Sequence, residues 1–194
     1  MKVAIVKYNA GNVESVKNAL NRLNVEPILT DDAETLKSAD KIIFPGVGEA
    51  STAMDYLRSR KLDLVIKSLT QPVLGICLGM QLLCKSSEEN ETRCLGIVPY
   101  RVRRFVSDKL KVPQMGWNNI FDLKSELFAG IEENSYVYFV HSYYVESGAE
   151  TIATCNYADE FSAAINYKNF YAVQFHAEKS GTVGEQILEN FLKL

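Results

Sequence analysis

The stretch VLGICLGMQLL, residues 73–83, carries one cysteine between two glycines in an apolar run. PVLGI is predicted to be a strand and LGMQLLCK a helix, so Cys77 lies at the turn between them. Small residues at Gly75 and Gly79 let the backbone double back without side-chain collisions. Two interpretations fit this pattern. Either Cys77 is a small, buried and inert side chain, or a strained turn presents it as a nucleophile above the sheet.

Strand-like and helix-like segments alternate through the first half of the chain. KVAIV, VEPIL, KIIF and PVLGI are predicted strands, and Asn12 is a candidate cap for a helix with apolar residues Val13, Val16, Leu20 and Leu23 at helical spacing. This order predicts an α/β fold with a mostly parallel central sheet and helices on both faces.

After about residue 95 the pattern becomes strand-rich, which predicts an additional antiparallel β region in the C-terminal half. FSAAINY and FYAVQF, separated by two residues, are predicted to form a hairpin. A closing helix is expected from about Thr182, with Thr182 and Glu185 as a capping box. We expect residues 1–194 to form a single domain.

The composition argues against several classes of function. The formal net charge is -3, which gives no reason to expect a nucleic-acid partner or an anionic membrane. No apolar run reaches the ~18 residues of a membrane span, and we expect a cytoplasmic protein. The four cysteines, Cys77, Cys84, Cys94 and Cys155, form no CxxC pair or zinc pattern, and no nucleotide-binding glycine motif is present. We therefore expect neither a disulfide, nor a metal, nor a cofactor.

A cysteine nucleophile needs a base, and the chain has two histidines. Both His141 and His176 end strand-like segments, where the active-site residues of open α/β sheets gather. Glu178 lies two residues after His176, so in an extended chain both side chains point to one face. This favours His176 as the base and Glu178 as the group that orients it, although a surface His-x-Glu at the end of a hairpin fits the local pattern as well.

Backbone N–H groups provide the third candidate feature. The N–H of Leu78, at the start of the helix after Cys77, is directed to where an oxyanion would form. In FPGVGEA, Gly46 and Gly48 directly follow a strand, and such a loop can aim further N–H groups at the site. A plain turn between a strand and a helix explains this loop equally well.

GICLGMQ, with PGVG upstream and FHAE downstream, resembles the class I (triad-type) glutamine amidotransferases, a flavodoxin-like fold. AGNVESV, KVPQMGWN, VYFVHSYY and HAEKSG narrow the resemblance to the glutaminase subunits of imidazole glycerol phosphate synthases, which belong to histidine biosynthesis. The resemblance extends nearly from end to end. GICLGMQ alone fits several amidotransferases.

The resemblance implies a role for individual residues. Cys77 would attack the side-chain amide of L-glutamine, His176 would protonate the leaving ammonia, and Glu178 would orient His176. The remaining implied roles are oxyanion N–H groups from Val47 and Leu78, glutamine binding by Gly48, Gln81 and Glu89, and backbone contacts to glutamine from Ser142 and Tyr143. His141 would be a wall of the pocket rather than the base.

The resemblance also implies a partner, a (β/α)8 cyclase subunit that receives the ammonia. Asn12, Trp117, Tyr138 and Lys179 would lie at that interface, although Trp117 is equally well interpreted as a core residue. The sequence departs from the family pattern at Lys7, Asn9, Gln114 and Ala177, none of which belongs to the triad.

Two other functions fit parts of the pattern. A glutaminase of another pathway, such as anthranilate synthesis, would share GICLGMQ but lack KVPQMGWN. A non-catalytic regulatory module on the same fold would not release ammonia from glutamine.

Overall fold

The computed structural model describes residues 1–9 and 12–194. Its first half alternates strands and helices in the predicted order: β1 (Val3–Val6), α1 (Val13–Arg22), β2 (Ile28–Thr30), α2 (Ala33–Lys37), β3 (Lys41–Gly46), α3 (Ala50–Ser59), α4 (Leu62–Ser68), β4 (Val73–Cys77) and α5 (Leu78–Leu83). The segment VEPIL is strand only from Ile28 onward.

The second half is mostly β-structure and ends in one helix: β5 (Ser86–Ser87), β6 (Thr92–Arg93), β7 (Arg101–Arg104), β8 (Gln114–Ile120), β9 (Ser135–His141), β10 (Tyr143–Val145), β11 (Thr151–Asn156), β12 (Glu160–Tyr167), β13 (Phe170–Val173) and α6 (Gly181–Lys193). Short 3-10 turns occur at Glu89–Glu91, Glu126–Phe128 and Ala177–Lys179.

The large sheet joins these two halves. Strands β2, β1, β3, β4 and β13 lie side by side and are all parallel. β13 then pairs antiparallel with β12, which gives the predicted hairpin, with Tyr167 opposite Phe170. Strands β10 and β7 continue the sheet in antiparallel pairs, while β8 and β9 form a separate antiparallel ribbon. The predicted fold class is confirmed.

Both faces of the sheet are covered. In β1, Val3 and Ile5 belong to one core and Ala4 and Val6 to the other, because successive side chains of a strand point to opposite faces. Helices α1 and α6 pack on the first face, and α2, α3 and α4 pack on the second. No helix in residues 1–9 and 12–194 is long and apolar enough to cross a membrane.

The predicted capping box of the last helix is wrong. α6 already begins at Gly181, so Thr182 lies inside its first turn, and the residue before the helix is Ser180. The Ser180 hydroxyl does not cap α6. It donates to the His176 carbonyl (2.7 Å) and accepts from the Tyr138 N–H (3.0 Å). The 3-10 turn after β13 leads directly into α6, and the hydroxyl ties that turn to β9.

Candidate active site

The turn at Cys77 is sharp and strained. Cys77 ends β4 with φ 53° and ψ -109°, a backbone conformation that residues other than glycine rarely adopt. Its side chain is only 6% exposed, yet it lines a cavity of about 280 Å³ at the carboxyl edge of the parallel strands. The thiol is therefore enclosed by protein but faces an open space, which is the arrangement predicted for a nucleophile.

Gly79 is required by the neighbouring strand. A Cβ atom at this position would lie 1.8 Å from the carbonyl oxygen of Phe44 in β3. The absence of a side chain lets the first turn of α5 pack directly on β3. A side chain at Gly79 would therefore collide with the backbone, as predicted. The collision is with the neighbouring strand β3 and not with the turn that carries Cys77.

His176 and Glu178 form a buried pair, and His176 lines the cavity together with Cys77. Nδ1 of His176 lies 2.7 Å from Oε1 of Glu178, and the side chains are 4% and 0% exposed. Burial alone would lower the pKa of His176, but the hydrogen bonds of its ring with Cys77 and Glu178 outweigh that effect and raise the pKa to about 10. The imidazole therefore has a strong tendency to hold a proton next to the Cys77 sulfur.

The backbone that brings this pair together differs from the prediction. His176 itself is extended, but Glu178 lies in the 3-10 turn Ala177–Lys179 rather than in a continuing strand. The two side chains meet because the turn folds Glu178 back beneath the imidazole. Glu178 does not line the cavity and lies behind His176.

Asn12 also contacts Glu178. It lies at the predicted N-terminal cap position of α1, with φ 69°, but its side chain makes no capping hydrogen bond. Instead, Nδ2 of Asn12 donates to Oε1 of Glu178, the same oxygen that faces His176. The other carboxylate oxygen, Oε2, is buried without a hydrogen-bond partner among the described residues.

His141 lies in the same cavity with different chemistry. Its Nδ1 donates to the Tyr143 carbonyl (2.7 Å), and its Nε2 lies 2.9 Å from the side-chain amide of Gln114. Burial lowers the pKa of His141 to about 4. Both ring nitrogens are directed at other residues, Nδ1 at the Tyr143 carbonyl and Nε2 at Oε1 of Gln114, so His141 forms a wall of the cavity and is not placed to act as the base for Cys77.

The remaining predicted site residues meet in this cavity. Besides Cys77, His141 and His176, its lining includes Val47, Gly48, Leu78, Gln81, Glu89, Ser142 and Tyr143. Oε2 of Glu89 accepts a hydrogen bond from the N–H of Ala50 at the start of α3 (2.7 Å), and burial raises the pKa of Glu89. Residues assigned from four separate sequence segments thus surround one space.

Two buried polar residues close to Cys77, Gln174 and Tyr8, were not predicted from the sequence. The side chain of Gln174 is fully buried, and its Nε2 lies 3.7 Å from the Cys77 sulfur. The hydroxyl of Tyr8 donates to the Pro45 carbonyl (2.6 Å), and burial and the nearby Cys77 raise the pKa of Tyr8 far above its ordinary value. A polar residue inside the apolar run YAVQF was the available signal for Gln174.

The residues assigned to a partner interface lie near His176 and Glu178, with Asn12 in contact with Glu178 and Tyr138 in contact with His176. Trp117 is 55% exposed, so its interpretation as a core residue is wrong. It lies opposite Tyr138 on the β8–β9 ribbon, with 5.9 Å between the ring centroids, and Met115 and Tyr136 are exposed on the same face. Lys179 is exposed in the turn that carries Glu178. The backbone of Tyr138 accepts a hydrogen bond from the His176 N–H (2.9 Å), which links this face to the triad.

Comparison with known proteins places this geometry in a family. A family model described as "Glutamine amidotransferase class-I" matches residues 4–194. The chain is 58% identical to a Bacteroides fragilis protein and 47% identical to an Escherichia coli protein, with all of each chain covered, and both are named "Imidazole glycerol phosphate synthase subunit HisH". A solved glutamine amidotransferase from Thermotoga maritima shares the fold with a TM-score of 0.68 at 15% identity, covering 100% of this chain and 83% of that one. The chain therefore belongs to the class I glutamine amidotransferase family.

Proposed function

We propose that this chain is the glutaminase subunit of an imidazole glycerol phosphate synthase, acting as a single domain over residues 1–194. It would hydrolyse L-glutamine to L-glutamate and pass the ammonia to a cyclase partner. The names of the relatives at 58% and 47% identity support the pathway. The observation that carries the chemistry is the strained Cys77 turn, which opens into a cavity also lined by His176, whose ring is hydrogen-bonded to Glu178.

In the first step, the Cys77 thiolate attacks the side-chain carbonyl carbon of glutamine. The carbonyl oxygen gains negative charge, and the N–H groups of Val47 and Leu78 would stabilise it. Protonated His176 then gives its proton to the leaving nitrogen, so that ammonia departs and a glutamyl thioester remains on Cys77. The raised pKa of His176, about 10, is consistent with this proton being available at neutral pH.

In the second step, water hydrolyses the thioester. Neutral His176 takes a proton from the water as it attacks, and the tetrahedral intermediate collapses to glutamate and the Cys77 thiolate. Glu178 keeps Nδ1 of His176 protonated and directs Nε2 at the reacting atoms throughout. Each cycle consumes one water and one glutamine and returns the enzyme to its starting state.

The other cavity residues would hold the substrate. Gly48, Gln81 and Glu89, with the backbone of Ser142 and Tyr143, would bind the amino-acid end of glutamine, which carries both a cation and an anion. Glu89 is the one carboxylate among these residues, and it would pair with the ammonium group. Its hydrogen bond from the Ala50 N–H keeps it in place.

The partner would dock on the exposed face described above, with Asn12, Trp117, Tyr138 and Lys179 at the contact. Tryptophan and tyrosine are enriched at the energetic centres of interfaces, which supports this choice of surface. The same surface lies directly outside the triad, so ammonia released there would have a short path to the partner. The four cysteines are free, which supports a cytoplasmic location.

The test is glutamate formation from glutamine, measured with the chain alone, with the cyclase of imidazole glycerol phosphate synthase, and with the synthase component of anthranilate synthesis. We expect activity with the cyclase and none with the anthranilate component. Activation by the anthranilate component alone would assign the protein to the other pathway. No glutamate under any condition would favour the non-catalytic regulatory module.

A second test addresses the nucleophile. A glutamine-mimicking electrophile should label Cys77 and spare the other three cysteines. Burial raises the pKa of Cys94 and of Cys155 to about 12, and that of Cys84 well above its ordinary value, so these thiols stay protonated. Even labelling of all four, measured by peptide mass spectrometry, would contradict the assignment of Cys77.

A further inference from the structure

Gln174 connects the nucleophile to the substrate-binding wall of the cavity. Its Nε2 lies 3.7 Å from the Cys77 sulfur, and its Oε1 accepts a hydrogen bond from Nε2 of Gln81 (3.0 Å). Nε2 of Gln81 also donates to the Tyr143 carbonyl (2.9 Å). Gln81 and Gln174 are 4% and 0% exposed, so this chain of amides is shielded from water.

The orientation of both amides is fixed by the Tyr143 carbonyl. A backbone carbonyl can only accept a hydrogen bond, so Gln81 must present its NH₂ group to it. The second proton of that group points at Gln174, so Gln174 must accept this hydrogen bond with its side-chain oxygen. The NH₂ group of Gln174 is therefore directed at Cys77 and cannot be exchanged with the oxygen.

The Gln174 N–H interacts more strongly with the ionised form of Cys77 than with the protonated form. When Cys77 is protonated, its S–H can point to the Val140 carbonyl at 3.8 Å, and the Gln174 amide meets only a weak acceptor. When Cys77 is a thiolate, the sulfur carries a full charge and the N–H of Gln174 is a charge-assisted donor. A fully buried amide in an apolar run is costly unless its atoms are paired, and both of its side-chain partners here belong to the cavity.

We infer that Gln174 is an additional catalytic residue, which stabilises the Cys77 thiolate through its side-chain N–H while its oxygen anchors Gln81 on the glutamine-binding side. This inference rests on the proposed role of Cys77 as the nucleophile. Two other titratable groups also interact with the sulfur, His176 and Tyr8, which lies two residues after β1. Glu178 acts through His176, and His141 is neutral.

The test is the rate at which iodoacetamide alkylates Cys77 in the protein without glutamine, between pH 5 and 9. Gln174→Met keeps the approximate shape of the side chain and removes the donor. Losing one hydrogen bond to a charged group should shift the pH midpoint of the alkylation rate upward by about one unit, which slows alkylation roughly fivefold at the pH where the wild-type rate is half maximal. Gln186→Met is the matched control, because Gln186 lies on α6 and donates to Asn190. It should leave the rate unchanged.

An unchanged pH profile in folded Gln174→Met would overturn the inference and leave Gln174 as a packing residue. If that variant does not fold, NMR of the wild type decides. The side-chain amide proton of Gln174 should resonate downfield of its position in Cys77→Ala, and equal positions would refute the contact. Selective alkylation of Cys77 in the wild type tests the proposed function separately. The inference about Gln174 concerns only the alkylation rate of the variant relative to that of the wild type.

Discussion

The ends of β3 and β4 lie side by side, with Gly46 paired to Cys77, but they differ in how firmly they are held. The β4 end is enclosed: Cys77 has a strained backbone, and Gly79 leaves no room for a side chain against Phe44. β3 is tightly packed as far as Gly46, where a Cβ atom would lie 2.2 Å from the Tyr8 hydroxyl, and the chain is open only in the loop that follows. Gly48 has φ 110° and free space around its Cα, and the loop has a cavity on each side, of about 280 and 170 Å³.

This difference suits the two strand ends to different tasks, alignment of the nucleophile at β4 and control of the oxyanion hole after β3. A nucleophile must be aligned with its base, and a rigid turn provides that alignment. The loop that would complete the oxyanion hole can change its peptide orientation, because glycine adopts conformations on both sides of φ 0° at low cost. We therefore expect the chemistry to depend on the β4 end and its control to depend on the β3 end.

The largest effect should come from the groups around the β4 end. We expect Cys77→Ala and His176→Ala to abolish glutaminase activity of the complex, with losses in kcat on the order of 10⁴-fold or more. Glu178→Gln should leave a measurable remnant, since it orients the base and does not react. Steady-state glutamate formation measures all three. Full activity in Glu178→Gln would show that the triad assignment is wrong.

A glycine pair tests the rigidity difference directly. Gly79→Ala would force a methyl group onto the Phe44 carbonyl, and we expect it to lower the free energy of unfolding by about 3 kcal/mol. Gly48→Ala meets no neighbour and only strains the backbone, at a cost of about 1 kcal/mol.

Urea unfolding measures both variants, and Gly96→Ala is the control, since Gly96 also has positive φ and free space but lies outside the active-site cavity. Gly48→Ala should match Gly96→Ala in stability and differ from it in activation by the partner. Equal destabilisation by Gly79→Ala and Gly48→Ala would remove the contrast between the two strand ends.

Control of the glutaminase rate by the loop after β3 should be measurable in the wild-type protein. A Val47 N–H turned away from the cavity would forgo about 3 kcal/mol of oxyanion stabilisation, so the isolated chain should be ~100-fold slower than the activated complex. The assay compares the chain alone, the chain with cyclase, and the chain with cyclase and its nucleotide ligand. Equal rates under all three conditions would contradict gating but leave the triad intact.

The smallest effect should come from Asn12, which supports Glu178 from α1. Asn12→Ala removes one hydrogen bond to a carboxylate, and we expect kcat to fall roughly fivefold to tenfold, as for the loss of about 1 kcal/mol or slightly more. Asn18→Ala, on the exposed side of the same helix, should have no effect. A loss in kcat that also appears in Asn18→Ala would point to helix stability instead.

Part of the site was accessible from sequence because its geometry is local. The sharp turn at Cys77 follows from VLGICLGMQLL, because a strand, a cysteine between glycines and a helix in direct succession restrict the backbone to few turn conformations. The pairing of His176 with Glu178 was predicted from their spacing, but for the wrong backbone, because a 3-10 turn and an extended chain can both bring these side chains together. Asn12 lies at the predicted cap position, but its side chain donates to Glu178 and not to the helix backbone. The capping box at Thr182 was wrong because α6 begins earlier, at Gly181, and the hydroxyl of the preceding Ser180 is engaged by His176 and Tyr138.

The sequence by itself determined the alternating strands and helices, the parallel sheet, the hairpin of β12 and β13, and the residues that resemble the family motifs. These features depend on periodicity and on short-range turn chemistry. Only the tertiary structure decided that Trp117 is exposed, that Gly79 must accommodate the Phe44 carbonyl, and that Gln174 and Tyr8 approach Cys77. Each of these contacts joins strands or helices far apart in the chain, and the packing of those elements, not the local sequence, brings the atoms together.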